Sequence, residues 1–190
     1  MLMRVFGFIG VLIILACRCV HADPPRDAPA IAVAPGHGYA LLYDLMGDER
    51  NVSNLLIVKR GHPELGTLIK RISSICREAH KQLETFAKTD PRVDLKDLGL
   101  PAAEIETRKE ISRIRGKELL AANGKEFELQ LLLNQNEALT YGSHLADVVA
   151  RGEESSTRAE FLRKLSGELG KQRQRVVAML LEGYTWEGSK

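Results

Sequence analysis

The chain has 190 residues, with 27 Lys and Arg against 25 Asp and Glu, and 44 % of its residues are hydrophobic. That is enough chain for one domain with a real core, and a charge this balanced gives no sign of a nucleic-acid partner or an anionic membrane surface. Three cysteines are too few for a disulfide framework in a domain of this size.

The first 22 residues read as a secretory signal peptide. Arg4 supplies the positive start, residues 5–16 are uncharged and apolar, Val20-His21-Ala22 is a small-x-small cleavage site, and Asp23-Pro24-Pro25 ends the segment. The apolar run is short for a membrane span, so cleavage is expected and the mature chain has no transmembrane helix. Removal of 22 residues leaves 168, takes away Arg4 and Arg18, and leaves 25 basic residues facing 25 acidic ones. The expected location is outside the cytoplasm, periplasmic or secreted. Ile14-Leu15-Ala16-Cys17 also resembles a bacterial lipoprotein box, with anchoring through Cys17 as the lesser option. Cys76 would be the one cysteine of the mature chain, and its apolar neighbours predict a small buried hydrophobe.

Residues 23–37 are rich in Pro and Ala and read as an extended, disordered leader. Beyond them no run alternates in the manner of a strand. Apolar residues recur at helical spacing, and the remaining prolines, Pro63, Pro91 and Pro101, fall at boundaries. The pattern predicts helices over residues 39–59, 63–88, 102–122, 125–150 and 157–183. Thr157-Arg158-Ala159-Glu160 serves as a capping box for the last, and residues 184–190 form a polar tail. Long helices with short turns predict an all-α, up-and-down bundle of four or five helices over residues 38–183.

The fourth of these helices contains Asn134-Gln135-Asn136. On a wheel of 100° per residue, Phe127, Leu131, Ala138, Tyr141, Leu145, Val148 and Val149 share one face. Asn134 falls in the middle of it, Gln135 at its edge and Asn136 away. The last helix places Gln172 among Phe161, Leu162, Leu165, Leu169, Val176 and Met179. Glu49 lies between Leu45, Val52 and Leu56, and Glu118 lies on the side of Ile111 and Ile114. An interhelical hydrogen-bonded pair, Asn134 with Gln172, is the expectation. A polar site inside the bundle is the alternative.

Catalytic signatures are missing. There is no Gly-x-Ser-x-Gly elbow, phosphate loop, dinucleotide glycine fingerprint, Cys-x-x-Cys or Glu-x-x-His. Glu137, Tyr141 and His144 share one side of their helix, and His80 flanks the apolar side of another, but one histidine per helix does not make a site.

The segment FELQLLLNQNEALTYGSHLADVVARGEESSTRAEFLRKLSGEL resembles an exported, ferritin-like bacterial family known as domain of unknown function 4142. The resemblance implies a ferritin-like four-helix bundle. It also places amides, Asn134-Gln135-Asn136 and Gln172-Arg173-Gln174, where that family carries histidines. Glu78-Ala79-His80 stands near, but offset from, the family's Asp-His. Amides are poor ligands for iron or zinc. The expectation is therefore a non-enzymatic bundle with no cofactor that binds a protein or a small ligand in the envelope. The alternative is a metal-binding or redox relative with an altered site, using Glu49, His80, Glu118, Glu137 or His144.

Overall fold

A computed structural model describes residues 35–59 and 61–184. The expected signal peptide, Cys17, most of the expected leader and the tail after Tyr184 lie outside these residues. Every regular element among the described residues is helical: α1 (Pro35–Glu49), a 3₁₀ turn (Val52–Asn54), α2 (Leu55–Val58), α3 (Pro63–Thr89), α4 (Ala102–Ala121), α5 (Gly124–Gly152) and α6 (Ser156–Tyr184). None of them is long and apolar enough to cross a membrane.

Three boundaries differ from the sequence reading, each for a local reason. Helix α1 begins at Pro35, where a proline's fixed φ and missing N–H suit a first helical turn, so the end of the expected leader is helical. The first helix does not run on to residue 59. The Asn51 side chain donates to the Gly47 carbonyl at 3.1 Å, and Ser73 of α3 donates to the Arg50 carbonyl. Both carbonyls are drawn away from a continuing helix, and the chain turns instead. Helix α6 is capped by Ser155, whose hydroxyl accepts from the Arg158 N–H at 3.4 Å, two residues before the expected cap.

Contacts fix the directions of the helices. Tyr43 of α1 meets Glu84 of α3, and Arg50 meets His80, so α1 and α3 are antiparallel. Gly38 abuts Val149 and Glu49 reaches Gln135, so α1 and α5 are antiparallel. Glu153 pairs with Arg158, and Gly142 abuts Leu169, which sets α5 against α6. Phe86 packs edge-on to Phe161 with ring centres 5.3 Å apart, which sets α3 against α6. The ring of helices is therefore α1, α3, α6, α5, with α3 and α5 running the same way across a diagonal.

Two parallel helices cannot be joined by a short turn. The chain must return along the length of the bundle, and residues 90–101 with α4 do so. This crossover departs from a plain up-and-down bundle. Helix α4 runs antiparallel to α5, with Arg115 on Glu137 at 2.7 Å and Arg108 over the Tyr141 ring. Only Leu119 of α4 is buried. Ile111 and Ile114, expected in the core beside Glu118, are 44 % and 47 % exposed. Glu118 is exposed as well. Helix α4 is supported instead by pairs along its own surface, Glu104–Arg108, Glu106–Lys109 and Glu110–Arg113.

The core lies inside the four-helix ring. Leu42, Met46, Leu65, Ile69, Ile72, Leu83, Phe127, Leu131, Leu139, Leu162 and Leu169 are almost fully buried. At the end where α3 and α5 finish, Arg158 bridges Asp90 and Glu153 at 2.8 Å each, and the Tyr39 hydroxyl donates to Glu153 at 2.5 Å. These partners hold the Asp90 and Glu153 carboxylates below their ordinary range, Asp90 chiefly through Arg92 and Glu153 through Arg158 against the opposing effect of burial.

Two glycines make opposite predictions. A Cβ on Gly142 would stand 2.9 Å from Leu45 and 3.2 Å from Leu169, where three helices meet, whereas one on Gly116 in α4 would meet nothing within 4 Å. Gly142→Leu is expected to destabilise by about 2 kcal/mol or more. Gly116→Ala is expected to stabilise by about 0.5–1 kcal/mol. Urea unfolding of the two variants checks both signs.

Candidate functional site

Among the described residues, Ser73, His80, Gln135 and Gln172 are buried polar side chains, and Glu49 is partly buried. Glu49 ends α1, and its carboxylate Oε2 accepts a hydrogen bond from Gln135 Nε2 of α5 at 2.7 Å. Gln135 is 2 % exposed. The α5 amide that enters the core is therefore Gln135 and not Asn134, which is half-buried. The wheel placed the apolar centre too far toward Tyr141, itself 39 % exposed. The buried face of α5 runs instead through Phe127, Leu131, Leu132, Gln135, Leu139, Gly142 and Ala146. It includes Gly142, which has no side chain for a wheel to weigh.

Gln172 of α6 is buried as expected, but its Oε1 has no partner. The expected Asn134–Gln172 bond is replaced by the Glu49–Gln135 one. Cys76 of α3 is fully buried and unpaired, as its neighbours suggested.

Burial decides the electrostatics of this layer. It pushes the Glu49 carboxyl up to about 7, the Gln135 hydrogen bond pulls the other way, and the charge of Asp48 adds to the rise. Burial also pushes the Cys76 thiol far up, with the nearby Glu49 charge assisting, so the thiol is protonated and unreactive. Asp48 is raised by burial and by Asp44 one turn away. Among the described residues no cation reaches Glu49 to offset these effects.

His80 belongs to a separate cluster between α1 and α3. Its ring stacks on Tyr43 with centres 4.0 Å apart. Its Nδ1 lies 3.0 Å from Arg50 and 3.5 Å from Glu84, and the Tyr43 hydroxyl donates to Glu84 at 2.9 Å. Burial, and after it the Arg50 charge, lowers the imidazole pKa against the pull of Glu84. An arginine can only donate, so Nδ1 accepts and the ring is neutral. A hollow of about 310 Å³ lies beside it, bordered by Gly47, Asp48 and Leu95. The arrangement locks α1 to α3 through Nδ1.

The residues weighed as metal ligands are dispersed. Glu118 and His144 are exposed, Glu137 is held by Arg115 at 2.7 Å, and Glu49 and His80 belong to different clusters. Among the described residues no group of three His, Cys, Asp or Glu side chains gathers around one point.

What the helices do form is a groove of about 610 Å³ between α1, α4 and α5. Leu41, Leu45, Leu55, Ile111, Leu119 and Leu131 give it apolar walls. Asp44, Asp48, Glu49, Asn134 and Gln135 line the α1–α5 side, and Arg108 and Arg115 line the α4 side. Its size falls within the range of small-molecule sites, and so does its mixture of apolar walls with a few converging polar groups. Sequence reasoning named Glu49 but missed Gln135 and the groove, because the groove exists only where α4 crosses. No family model, curated protein or solved structure matches this chain.

The Glu49 carboxyl yields a stability prediction. Its folded pKa, about 7, stands above the ordinary 4.5, so the folded state keeps a proton that the unfolded chain has lost between those pH values. Stability therefore falls as pH rises through that window, and the loss is complete above it. Glu49→Gln keeps an acceptor for Gln135 without the charge. The variant should be more stable than the parent at pH 8, by up to about 3 kcal/mol, with the difference vanishing below about pH 5. Thermal unfolding across that pH range checks both the sign and the window.

Proposed function

We propose that this chain is an exported, non-catalytic helical bundle that takes up a small ligand in the groove between α1, α4 and α5. The observation that carries the reading is Gln135: a buried amide that borders an apolar-walled groove and has one oxygen without a partner. Buried polar groups are nearly always satisfied in a folded protein, and an unmet one beside a cavity of ligand size marks a place for a guest. The exposed Ile111 on the facing wall supplies apolar area to the same space. Export rests on the signal-like first 22 residues.

Kinship with the ferritin-like bundles is part of the same proposal. It is supported by a four-helix ring closed by one long crossover, the connectivity such bundles have, together with the amides noted in the second half of the chain. In this reading the metal chemistry of that class is absent, and the interior carries hydrogen-bonding groups in place of ligands.

A thermal-shift screen tests the ligand reading. Small molecules with one polar head and an apolar body should raise the unfolding midpoint, as any ligand specific to the folded state does. Ile111→Trp, which fills the groove from its exposed wall, should abolish the shifts. If no such molecule shifts the midpoint, or if the shifts persist in Ile111→Trp, the groove is not a binding site.

A further inference from the structure

The groove holds more acceptors than donors. Glu49 gives Oε2 to Gln135, and its Oε1 has no partner among the described residues. Gln135, 2 % exposed, gives its Nε2 to Glu49 and has no partner for its Oε1. Asp44 and Asp48 line the same wall and make no ion pair among the described residues. The cations on the opposite wall are already engaged, Arg115 by Glu137 at 2.7 Å and Arg108 by Glu104 at 2.8 Å. An α1 face bearing three carboxylates is left without compensation beside apolar walls, and a buried oxygen behind it waits for a donor.

We propose that the groove binds a small organic cation, a primary ammonium with an apolar body, whose N–H groups meet Glu49 and Gln135 while the body lies against Leu45 and Ile111. This deepens the ligand-binding reading above and rests on it. An ammonium is the chemistry that fits, because it brings several donors and one positive charge to a place that has acceptors and negative charge. An anion would face three carboxylates. A bare metal ion would need these carboxylates to gather around one point, and among the described residues no such group of three forms. Helix α4, which buries only Leu119, is the wall that can yield to admit the body.

The groups around Glu49 set the pH dependence. Asp48 stands beside it on α1, and the protonated Cys76 thiol lies toward α3. Gln135 donates from α5, and Arg108 and Arg115 line the α4 wall, each held by a glutamate. Helix α6 adds the neutral Gln172 to the core. An ammonium and a proton therefore compete for the same carboxylate. Affinity should tighten by about tenfold from pH 6 to pH 8, a range over which the amine itself stays charged.

Isothermal titration calorimetry with hexylammonium, hexanol and hexanoate at both pH values tests this. The expected result is that hexylammonium binds best, at least tenfold more tightly than the other two at pH 8. Its affinity should drop about tenfold at pH 6 and at least tenfold in Glu49→Gln at pH 8. Hexanol or hexanoate binding as tightly as the amine would overturn the inference. So would an amine affinity that is equal at the two pH values, which is read on the parent protein even if the variant fails to fold. Loss of hexanol binding in Ile111→Trp would then show that the groove takes ligands while the ammonium assignment is wrong. Binding of none of the three, or binding unaffected by both variants, overturns the ammonium and the groove together.

Discussion

The contact from the Gln135 amide to the Glu49 carboxylate joins the end of α1 to the middle of α5 inside the bundle. A carboxylate taken out of water needs partners to stay charged, and an uncharged amide supplies only one weak donor. Burial therefore dominates, and the Glu49 carboxyl titrates near neutrality. Cys76 across the core is held protonated chiefly by its own burial, with that carboxyl assisting. Among the described residues the acid has no base beside it and the thiol no cation, and the buried imidazole of His80 meets Arg50, the residue after Glu49.

A second constraint is topological. Helices α3 and α5 point the same way, so the chain must travel the full length of the bundle between them. Helix α4 is first a connection, and its surface shows this. Intrahelical ion pairs line it, one leucine anchors it, and its isoleucines stay half-exposed. Had α4 packed as tightly as α6, the space between it and α1 would be core. Because it does not, the acidic edge of α1 and the amide edge of α5 open onto a groove of ligand size. The looseness of one helix and the unmet polarity of another are two sides of one arrangement.

Much of the fold could be read from the sequence, since helix periodicity and proline positions report local preference directly. The bounds of α3, α4 and α5 fall within a residue or two of those expected, and the buried state of Cys76 and Gln172 followed from their apolar neighbours. What periodicity could not see was anything set by a partner helix. Asn134 sat at the centre of the apolar stripe by count, but α5 is rolled so that Gly142 meets α1 and α6, and this turns Gln135 inward. Glu118 was grouped with Ile111 and Ile114 correctly as a face, but no core covers that face. The break after Glu49 depends on Ser73 capturing the Arg50 carbonyl from another helix, which no local pattern encodes.

The titration of Glu49 itself is the most direct test of this account. Carbon-13 NMR of its side-chain carboxyl, followed from pH 4 to pH 9, should give a midpoint near 7, displaced upward by burial with only Gln135 to hold the charge. A midpoint at the ordinary carboxylate value of 4.5 would mean that water reaches the carboxyl freely. The interior polar layer, and the groove built upon it, would then not exist as described.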